Sequence, residues 1–338
     1  MKRIFTLLFA VLTATTIMAQ MHGPVKFVGA SNMTVSTMSN DNPSDTILFA
    51  MNGMESGNIT LPAMKGMQTI PSFTISGAKF TLGENHVVTF ADQTFSAKVT
   101  VDGEEKNITG SSLSGTYNMA DNSLMLTVVF QYGKMPFPMT YTVKGYYVKA
   151  VSNPITVTVG GQFTYNNDNV TYELRRYKDG KTDKLDVTVP SYTLANTVMG
   201  DLTLGSYTVK GLVYDEAQGG YYRDYKNDGL MFHFTAVKNG KTTMDKDYEF
   251  AADEANNILV KYEGSNVSSI VNTFQVGTMP FGIVSVFSGA TTSINDITTT
   301  PSHDFNTTSS QQYNLAGQRV DNNYKGIVIV NGKKYLRK

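Results

Sequence analysis

Residues 214–225 carry the side chains best suited to binding a ligand. The segment has the sequence Tyr-Asp-Glu-Ala-Gln-Gly-Gly-Tyr-Tyr-Arg-Asp-Tyr, so four tyrosines, three carboxylates and one arginine surround a Gly-Gly turn. Flat rings beside hydrogen-bonding groups suit a glycan or an amphipathic ligand. The alternative is an ordinary hairpin whose tyrosines cover the ends of strands. The predicted ligand-binding residues are Tyr214, Tyr221, Tyr222, Arg223 and Tyr225.

Catalytic and metal-binding chemistry has less support in the sequence. The four histidines, at positions 22, 86, 233 and 303, lie far apart. A metal or acid–base site would need one of them to meet carboxylates in space. The run Gly-Ser-Ser-Leu-Ser-Gly at 110–115 lacks the spacing of a nucleophile elbow and is predicted to be a loop. We therefore expect a non-enzymatic protein with no catalytic residue, no metal site and no cofactor.

The elements that must position these side chains are strands. Short runs rich in Val, Ile, Thr, Phe and Tyr alternate with Gly, Asn, Asp and Pro every eight to twelve residues. Residues 40–45 are predicted to be a loop, and Gly160-Gly161 a bulge or bend within a half-buried strand. No long window has helical periodicity, which predicts an all-β fold. Antiparallel barrels are favoured because closure removes exposed edges, and a β-sandwich is the alternative.

The chain contains one stretch twice, as Phe-Gln-Tyr-Gly-Lys-Met-Pro-Phe at 130–137 and Phe-Gln-Val-Gly-Thr-Met-Pro-Phe at 274–281, an offset of 144. Gly-Asn-Ile-Thr-Leu at 57–61 likewise returns as Gly-Asp-Leu-Thr-Leu at 200–204. A repeat of this length indicates two tandem domains, predicted at 20–151 and 152–290. Phe137 and Phe281 are predicted to fold inward as plugs, the alternative being rim residues that touch a ligand or partner.

The N-terminal residues predict export. Residues 1–19 have a basic start, a short apolar run and small residues before Gln20, as in a secretory signal peptide, and no other apolar run could span a membrane. Without residues 1–19 the chain has 26 basic and 28 acidic residues, which argues against a nucleic-acid partner. The chain has no cysteine for disulfides.

The C-terminal segment differs in composition from the rest of the chain. Residues 291–312 are rich in Ser and Thr, which predicts a flexible linker. Residues 313–338 are predicted to form three short strands, too few to hold a core of their own. This segment is therefore predicted to dock elsewhere or to act as an address.

The repeated landmarks at 57–61, 130–137, 200–204 and 274–281 resemble the calycin-like, or lipocalin-like, β-barrel domains of exported Bacteroidota proteins. The resemblance covers both copies and implies antiparallel barrels that can hold a small apolar ligand, but no known activity. Lipocalins proper usually carry Gly-x-Trp near the first strand, and this chain has no Trp. Separately, Asn314-Leu315-x-Gly317-x-x-Val320 and the basic end resemble C-terminal sorting segments of the same bacteria.

The sequence thus predicts an exported cell-envelope or surface protein without catalytic activity, in the periplasm, on the outer-membrane surface or outside the cell. Its predicted partners are a small apolar or amphipathic ligand or a glycan, with secretion machinery engaging the C-terminal segment. The alternative is a structural or adhesive surface protein whose barrels are filled by their own side chains.

Overall fold

The computed structural model describes residues 24–65, 69–83, 86–252, 254–277, 279–289, 312–314, 325–330 and 333–337. These residues form strands, turns and bends without a helix, so the predicted all-β fold is confirmed and no helix among them could cross a membrane. The chain divides into two compact units between Gly289 and Ala290. The predicted signal peptide, and the predicted linker apart from Gln312, lie outside the described residues.

We call the part of the chain up to β11 the first half. Its strands are β1 Val25–Val35, β2 Met38–Met51, β3 Ser56–Leu61, β4 Met64–Lys65, β5 Thr69–Ile70, β6 Phe73–Lys79, β7 Thr81–Leu82, β8 Val87–Val101, β9 Glu104–Asn118, β10 Ser123–Tyr132 and β11 Met139–Val159.

The first half is a closed antiparallel barrel. Apart from the small β4–β5 pair, each strand bonds to its sequence neighbour, and β11 returns to pair with β1. β6 and β7 are separated only by Phe80 and together form the fourth of the eight strands of the barrel. At that break the Lys79 N–H donates to Gln93 Oε1 and Gln93 Nε2 donates to the Lys79 carbonyl, both at 2.8 Å. The barrel prediction is therefore confirmed for this half.

Alternating burial explains why these strands close into a barrel. β10 alternates buried residues such as Leu124, Leu126, Val128 and Phe130 with more exposed ones, as the two-residue period of a strand requires. The inward side chains form one core whose members have exposed fractions of 0–9%. Phenylalanine rings meet edge to face there, as in Phe73 and Phe130 with centroids 5.3 Å apart.

The second half begins within β11. Its own strands are β12 Phe163–Asp179, β13 Thr182–Val189, β14 Tyr192–Thr197, β15 Gly200–Leu204, β16 Tyr207–Asp215, β17 Gly220–Asp224, β18 Met231–Lys238, β19 Lys241–Glu249, β20 Asn257–Glu263, β21 Asn266–Gln275 and β22 Gly282–Ser288.

Strand pairings in the second half follow the order β12-β13-β16-β17-β20-β21-β22, and both β12 and β22 also pair with the C-terminal part of β11. β14, β15, β18 and β19 form a separate four-stranded sheet. A second core fills this half, with exposed fractions of 0–7%. The predicted boundary at 151/152 lies inside β11, so one strand serves both halves.

The last two ladders of the first half share one register with the last two ladders of the second half. Phe130 pairs with Met139 between β10 and β11, and Phe274 pairs with Ile283 between β21 and β22. Adding 144 to either member of the first pair gives the corresponding member of the second. The β9–β10 ladder and the β20–β21 ladder match in the same way at their turn ends.

The predicted loop at 40–45 is wrong, because β2 runs through it. The pairing of β1 with β2 shifts register between Gly29 and Ser31. This shift leaves Pro43 outside the ladder, so its missing N–H costs no hydrogen bond. The strand can therefore continue through a proline.

Two glycine-containing runs also differ from the prediction. Residues 110–115 lie within β9, where a Cβ on Gly110 would come 2.0 Å from the Phe95 ring, so glycine allows close contact inside a strand. Gly160 and Gly161 form the turn between β11 and β12, with φ of 59° and 69°, instead of a bulge or bend within one strand.

The predicted aromatic plugs are wrong as well. Phe137 is 53% exposed and Phe281 52% exposed. In each copy a glutamine side chain donates to the carbonyl oxygen of the Met that precedes the Pro, as Gln275 Nε2 does to Met279 at 2.8 Å. The two methionines pack against the cores. The hydrogen-bonded turn therefore directs Met inward and Phe outward.

The second unit contains three antiparallel strands in the order β23 Gln312–Asn314, β24 Gly326–Val330 and β25 Lys333–Arg337. The last two predicted strands of this segment are confirmed. The first is described only for residues 312–314, and Gln312, assigned to the linker by the prediction, belongs to it.

Candidate functional site

The hairpin of β16 and β17 carries the five predicted ligand-binding residues but does not bring all five together. Side chains on a strand point alternately to opposite faces, so the cluster is divided. Tyr214 is 58% exposed, Tyr221 is 6% exposed and Tyr225 is 1% exposed. Tyr222 and Arg223 are half-buried.

Two of the five are committed to contacts of their own. The Tyr225 hydroxyl donates to Asn272 Oδ1 at 2.8 Å inside the second core. Arg223 forms a bidentate ion pair with Asp228, with Nη2 to Oδ1 at 2.9 Å and Nε to Oδ2 at 2.9 Å. Tyr225 in particular is enclosed by the core and has no access to a surface ligand.

Tyr214 and Tyr221 do meet. They are directly opposed in the β16–β17 ladder, and their ring centroids are 5.7 Å apart. Tyr221 also contacts Tyr262, at 6.0 Å, and the Arg176 guanidinium lies 5.6 Å from the Tyr221 ring centroid. The result is an aromatic strip with a cation at its side.

This strip lines a groove of about 870 Å³ between the two halves. We call it the tyrosine groove and define it by Tyr147, Arg176, Asp183, Tyr214, Tyr221 and Tyr262. β11 and β12 form its floor, because Lys149 pairs with Leu174 there and both line the groove. The β9–β10 turn at Asn122 and the β20–β21 turn at residues 264–266 border it.

Electrostatics keep the polar groups of the groove available for hydrogen bonding. Arg176 Nη2 donates to Asp183 Oδ2 at 2.8 Å, and both side chains are about half exposed. Burial raises the pKa of the Tyr262 phenol to about 12 and also raises the pKa of Tyr147 and of Tyr221. These phenols are neutral donors at ordinary pH.

Sequence reasoning missed four groove residues, namely Tyr147, Arg176, Asp183 and Tyr262. They come from β11, β12 and β20 and from the start of β13, which are remote in sequence from β16 and β17. Period-two alternation would have separated Tyr221 from Tyr222. No local pattern connects Tyr147 with residues more than sixty positions later.

A second polar pocket, of about 260 Å³, lies against the first barrel. At its wall the buried Asp45 carboxylate accepts from Ser31 Oγ at 2.5 Å and from the Tyr141 hydroxyl at 2.9 Å, both through Oδ2. Asn42 Nδ2 donates to the other carboxylate oxygen at 2.6 Å. Burial raises the pKa of Tyr141 far above its ordinary value. This group ties β1, β2 and β11 together beside the register shift.

The histidines do not form a metal site in the part of the chain that the structure describes. His233 on β18 lies between two carboxylates of β19, with Nδ1 2.8 Å from Asp247 Oδ1 and Nε2 2.9 Å from Asp245 Oδ1. The hydrogen bond to Asp247 raises the pKa of His233. His86 lies elsewhere, in the turn before β8.

Comparisons with known families and solved structures found similarities to this chain. Residues 22–146 match the family model of the calycin-like beta-barrel domain. A crystal structure of a provisionally named outer membrane protein from Bacteroides fragilis NCTC 9343 is similar at 15% identity and a TM-score of 0.26, over 80% of this chain and 98% of that chain. No curated protein matches the chain. The residues that match this family model include β1 to β10 and the start of β11, which belong to the closed ring of the first half.

Proposed function

We propose that this chain is an exported cell-envelope or surface protein without catalytic activity, built from two calycin-like barrels in tandem, that binds a glycan in the tyrosine groove. Its signal-like N-terminus supports export. The groove itself supports binding.

The shared register supports the second barrel. A duplication predicts that the same ladders reappear at a constant offset, and the β10–β11 and β21–β22 ladders do so at 144. The pairings of the second half also return to the strand from which they start. Two copies of one domain explain both facts.

The observation that carries the binding proposal is the arrangement of Tyr214, Tyr221 and Tyr262 beside Arg176 and Asp183. The C–H faces of a sugar ring pack on flat aromatic rings, and its hydroxyls bond to planar charged groups. Both kinds of group line one open groove here. An amphipathic ligand with several hydroxyls uses all of them.

The packed cores argue against a ligand inside the barrels. A cavity large enough for an apolar ligand would leave its lining side chains exposed to a water-sized sphere. Large side chains of each core, such as Phe27 and Phe130 in the first half and Tyr172 and Phe287 in the second, are only 0–1% exposed. This filling favours a second candidate function, that of a structural or adhesive surface protein without a small-molecule ligand.

Binding to an array of defined microbial, plant and animal oligosaccharides, followed by calorimetric titration of the strongest responder, separates these two functions. We expect Tyr214→Ala to weaken binding about 3- to 10-fold, because one stacking contact contributes about 0.5–1.5 kcal/mol. Phe163→Ala is the matched control, since Phe163 is 53% exposed and does not line the groove. Equal binding by both variants would exclude the groove, and absence of any responder would leave the structural function.

The location is tested by deleting residues 313–338, whose likeness to a sorting segment supports a role in surface delivery. We expect the shortened chain to accumulate in the periplasm of a Bacteroidota host and to unfold at an unchanged temperature. A markedly lower unfolding temperature would instead assign these residues a structural role.

A further inference from the structure

The pairings of β11 change from the first half to the second half at Val148. Val148 pairs with Lys26 of β1 and also with Arg175 of β12, so β1 and β12 flank it. Among the described pairings of β11, the residues before Val148 pair with β1 or β10 and those after it with β12 or β22. Strands of both halves therefore flank the same residue of β11 only at this position.

Arg175 links the two halves across β11. Its Nη1 donates to the carbonyl oxygen of Val28 on β1 at 3.1 Å. Its Nε donates to Asp186 Oδ2 on β13 at 3.1 Å, and its Nη2 donates to the same oxygen. The Asp186 side chain is only 4% exposed, and its other oxygen accepts from the Gly211 N–H at 2.8 Å. A buried carboxylate of the second half thus holds the guanidinium that reaches the first half.

Lys26 of β1 makes a second link across β11. Its Nζ lies 2.9 Å from Glu173 Oε1 and 2.8 Å from Glu173 Oε2 on β12. Both side chains are about one-third exposed, so salt weakens this pair less than a fully exposed one. Among the ion pairs that the described residues form, this one alone joins the two halves.

Both links lie on one face of β11 and β12, where their residues and Val148 line a cleft of about 330 Å³. The tyrosine groove is on the opposite face, because successive side chains of a strand alternate and Tyr147, Lys149 and Arg176 line it. The β9–β10 turn borders the groove from the first half, while the tyrosines of β16, β17 and β20 line it from the second half. The angle between the halves at Val148 therefore sets the distance between the two sides of the groove.

We propose that Arg175, Lys26 and Glu173 are positioning residues of the tyrosine groove, whose links fix the angle between the halves and so the width of the groove. At Val148 only its own pairings oppose a swing of one half away from the other. Two links that cross β11 on one face oppose this swing, because they must stretch or break when the angle changes. The effect on ligand affinity rests on the proposed glycan binding, since sides already held in place lose less freedom when a glycan binds.

The width of the groove can be measured without a ligand. The chain has no cysteine, so Ala120→Cys in the β9–β10 turn and Ala217→Cys in the β16–β17 turn, both at exposed positions, allow one spin label on each side of the groove. Double electron–electron resonance on the labelled full chain gives the distribution of distances between the labels. We expect one narrow distribution when both links are intact.

Removing the Arg175 link should change this distribution. Arg175→Gln is combined with Asp186→Asn, because Asp186 would otherwise be a buried carboxylate without its ion-pair partner. The new amide can still accept from the Gly211 N–H. We expect a broader distribution or a shifted mean. An unchanged distribution in this variant and in Lys26→Glu would overturn the proposal.

Charge exchange tests the second link. Lys26→Glu brings two carboxylates together, and adding Glu173→Lys restores an ion pair with its charges exchanged. We expect the single change to broaden the distribution and the exchange to restore most of it. Lys98→Glu is the matched control, since it breaks an ion pair with Glu105 inside the first half and should leave the distances unchanged. Failure of the exchange to restore the distances, or equal broadening by the control, would contradict this link.

Glycan binding separates a positioning role from a purely structural one. We expect Lys26→Glu to bind the strongest-responding oligosaccharide of the array about 5-fold or more weakly, and the charge exchange to restore binding. The unfolding temperature of Lys26→Glu should fall no further than that of Lys98→Glu. Broadened distances with unchanged affinity would overturn the positioning role. If no oligosaccharide binds the unchanged chain, the proposed glycan function fails, and the distance measurements still decide whether the links set the width of the groove.

Discussion

The two cores are filled with different chemistry. In the first, phenylalanine rings pack edge to face, with Phe49 5.5 Å from Phe90. In the second, Tyr207 and Tyr225 reach Asn272 through their hydroxyls. The comparison shows that the interior of such a half must be filled and its polar groups paired, but that it need not be purely apolar.

The largest effect should come from deleting a core ring. We expect Phe130→Ala to lower the free energy of unfolding by about 3–5 kcal/mol, because the ring is 0% exposed and its loss leaves a cavity. Phe137→Ala, at a 53% exposed ring, should change it by about 0.5 kcal/mol or less. Urea denaturation measures both.

The same pair in the second half, Phe274→Ala and Phe281→Ala, extends this test. Phe274 is 1% exposed, so we expect the same difference as in the first half. A much smaller loss for Phe274→Ala would mean that the second core collapses around the missing ring, and the two cores would then differ in packing as well as in chemistry.

Exchanging the polar residue between the cores should have the next largest effect. Asn272→Val leaves the Tyr207 and Tyr225 hydroxyls without their partner, and Val128→Asn places an unpaired amide in an apolar core. We expect each to cost about 2–3 kcal/mol of unfolding free energy in urea denaturation.

Adding Tyr207→Phe and Tyr225→Phe to Asn272→Val should recover most of the loss, because no unpaired hydroxyl then remains at that amide. If the triple variant is no more stable than Asn272→Val alone, packing rather than hydrogen bonding explains the cost. The chemical contrast between the cores would then be incidental.

Alkaline pH should destabilise the second half more than the first. Burial raises the pKa of eight second-half tyrosines, namely Tyr172, Tyr177, Tyr192, Tyr207, Tyr221, Tyr222, Tyr225 and Tyr262, against Tyr117, Tyr141 and Tyr147 in the first half. Below about pH 10 neither folded nor unfolded tyrosine is ionised, so the stability is fully present. The stability is lost as the pH rises from there toward the pKa of the folded-state tyrosine, by roughly 1.4 kcal/mol per pH unit for each tyrosine.

Separate reporters for the two halves can measure this difference. The chain has no tryptophan, so Phe137→Trp and Phe281→Trp, at exposed positions, each add one fluorescent probe. Between pH 9 and 11 the second probe should record the steeper loss, and Tyr172→Phe should reduce its slope. Equal slopes would show that the tyrosines of the second core ionise without unfolding it.

The smallest effect concerns His233, which has an exposed side chain. Its hydrogen bond to Asp247 raises its pKa, so the stability it contributes is fully present below about pH 6.5 and is lost as pH rises through the folded value. We expect a slight fall in the unfolding temperature reported by the second probe from pH 6 to 8. His233→Gln should remove this fall, while Phe137→Trp reports none of it because Thr89 is the corresponding residue.

Local features of the sequence were sufficient to predict many of the strands and turns. Alternation in β10 follows directly from the two-residue period. Asn239 and Gly240 both have positive φ, as the Asn-Gly hairpin turn requires. The repeat was visible because its landmarks are themselves local.

The direction of the Met-Pro-Phe side chains and the composition of the tyrosine groove depend on contacts that the local sequence pattern does not reveal. Whether Met or Phe points inward in the Met-Pro-Phe step is decided by a hydrogen bond from Gln131 to the Met135 carbonyl, which composition does not reveal. The tyrosine groove needs β11, β12 and β20 beside β16 and β17. Only two of the five predicted residues, Tyr214 and Tyr221, could therefore be assigned to it correctly.

The strand common to both halves has a mechanical consequence. β11 runs from Met139 to Val159. Its N-terminal part pairs with β1 and β10, and its C-terminal part pairs with β12 and β22, with one register shift relative to β12 between Asn153 and Ile155. Tandem domains joined by a flexible linker ordinarily reorient relative to each other. Here a paired strand runs from one half into the other, so turning one half against the other must break ladder hydrogen bonds of β11.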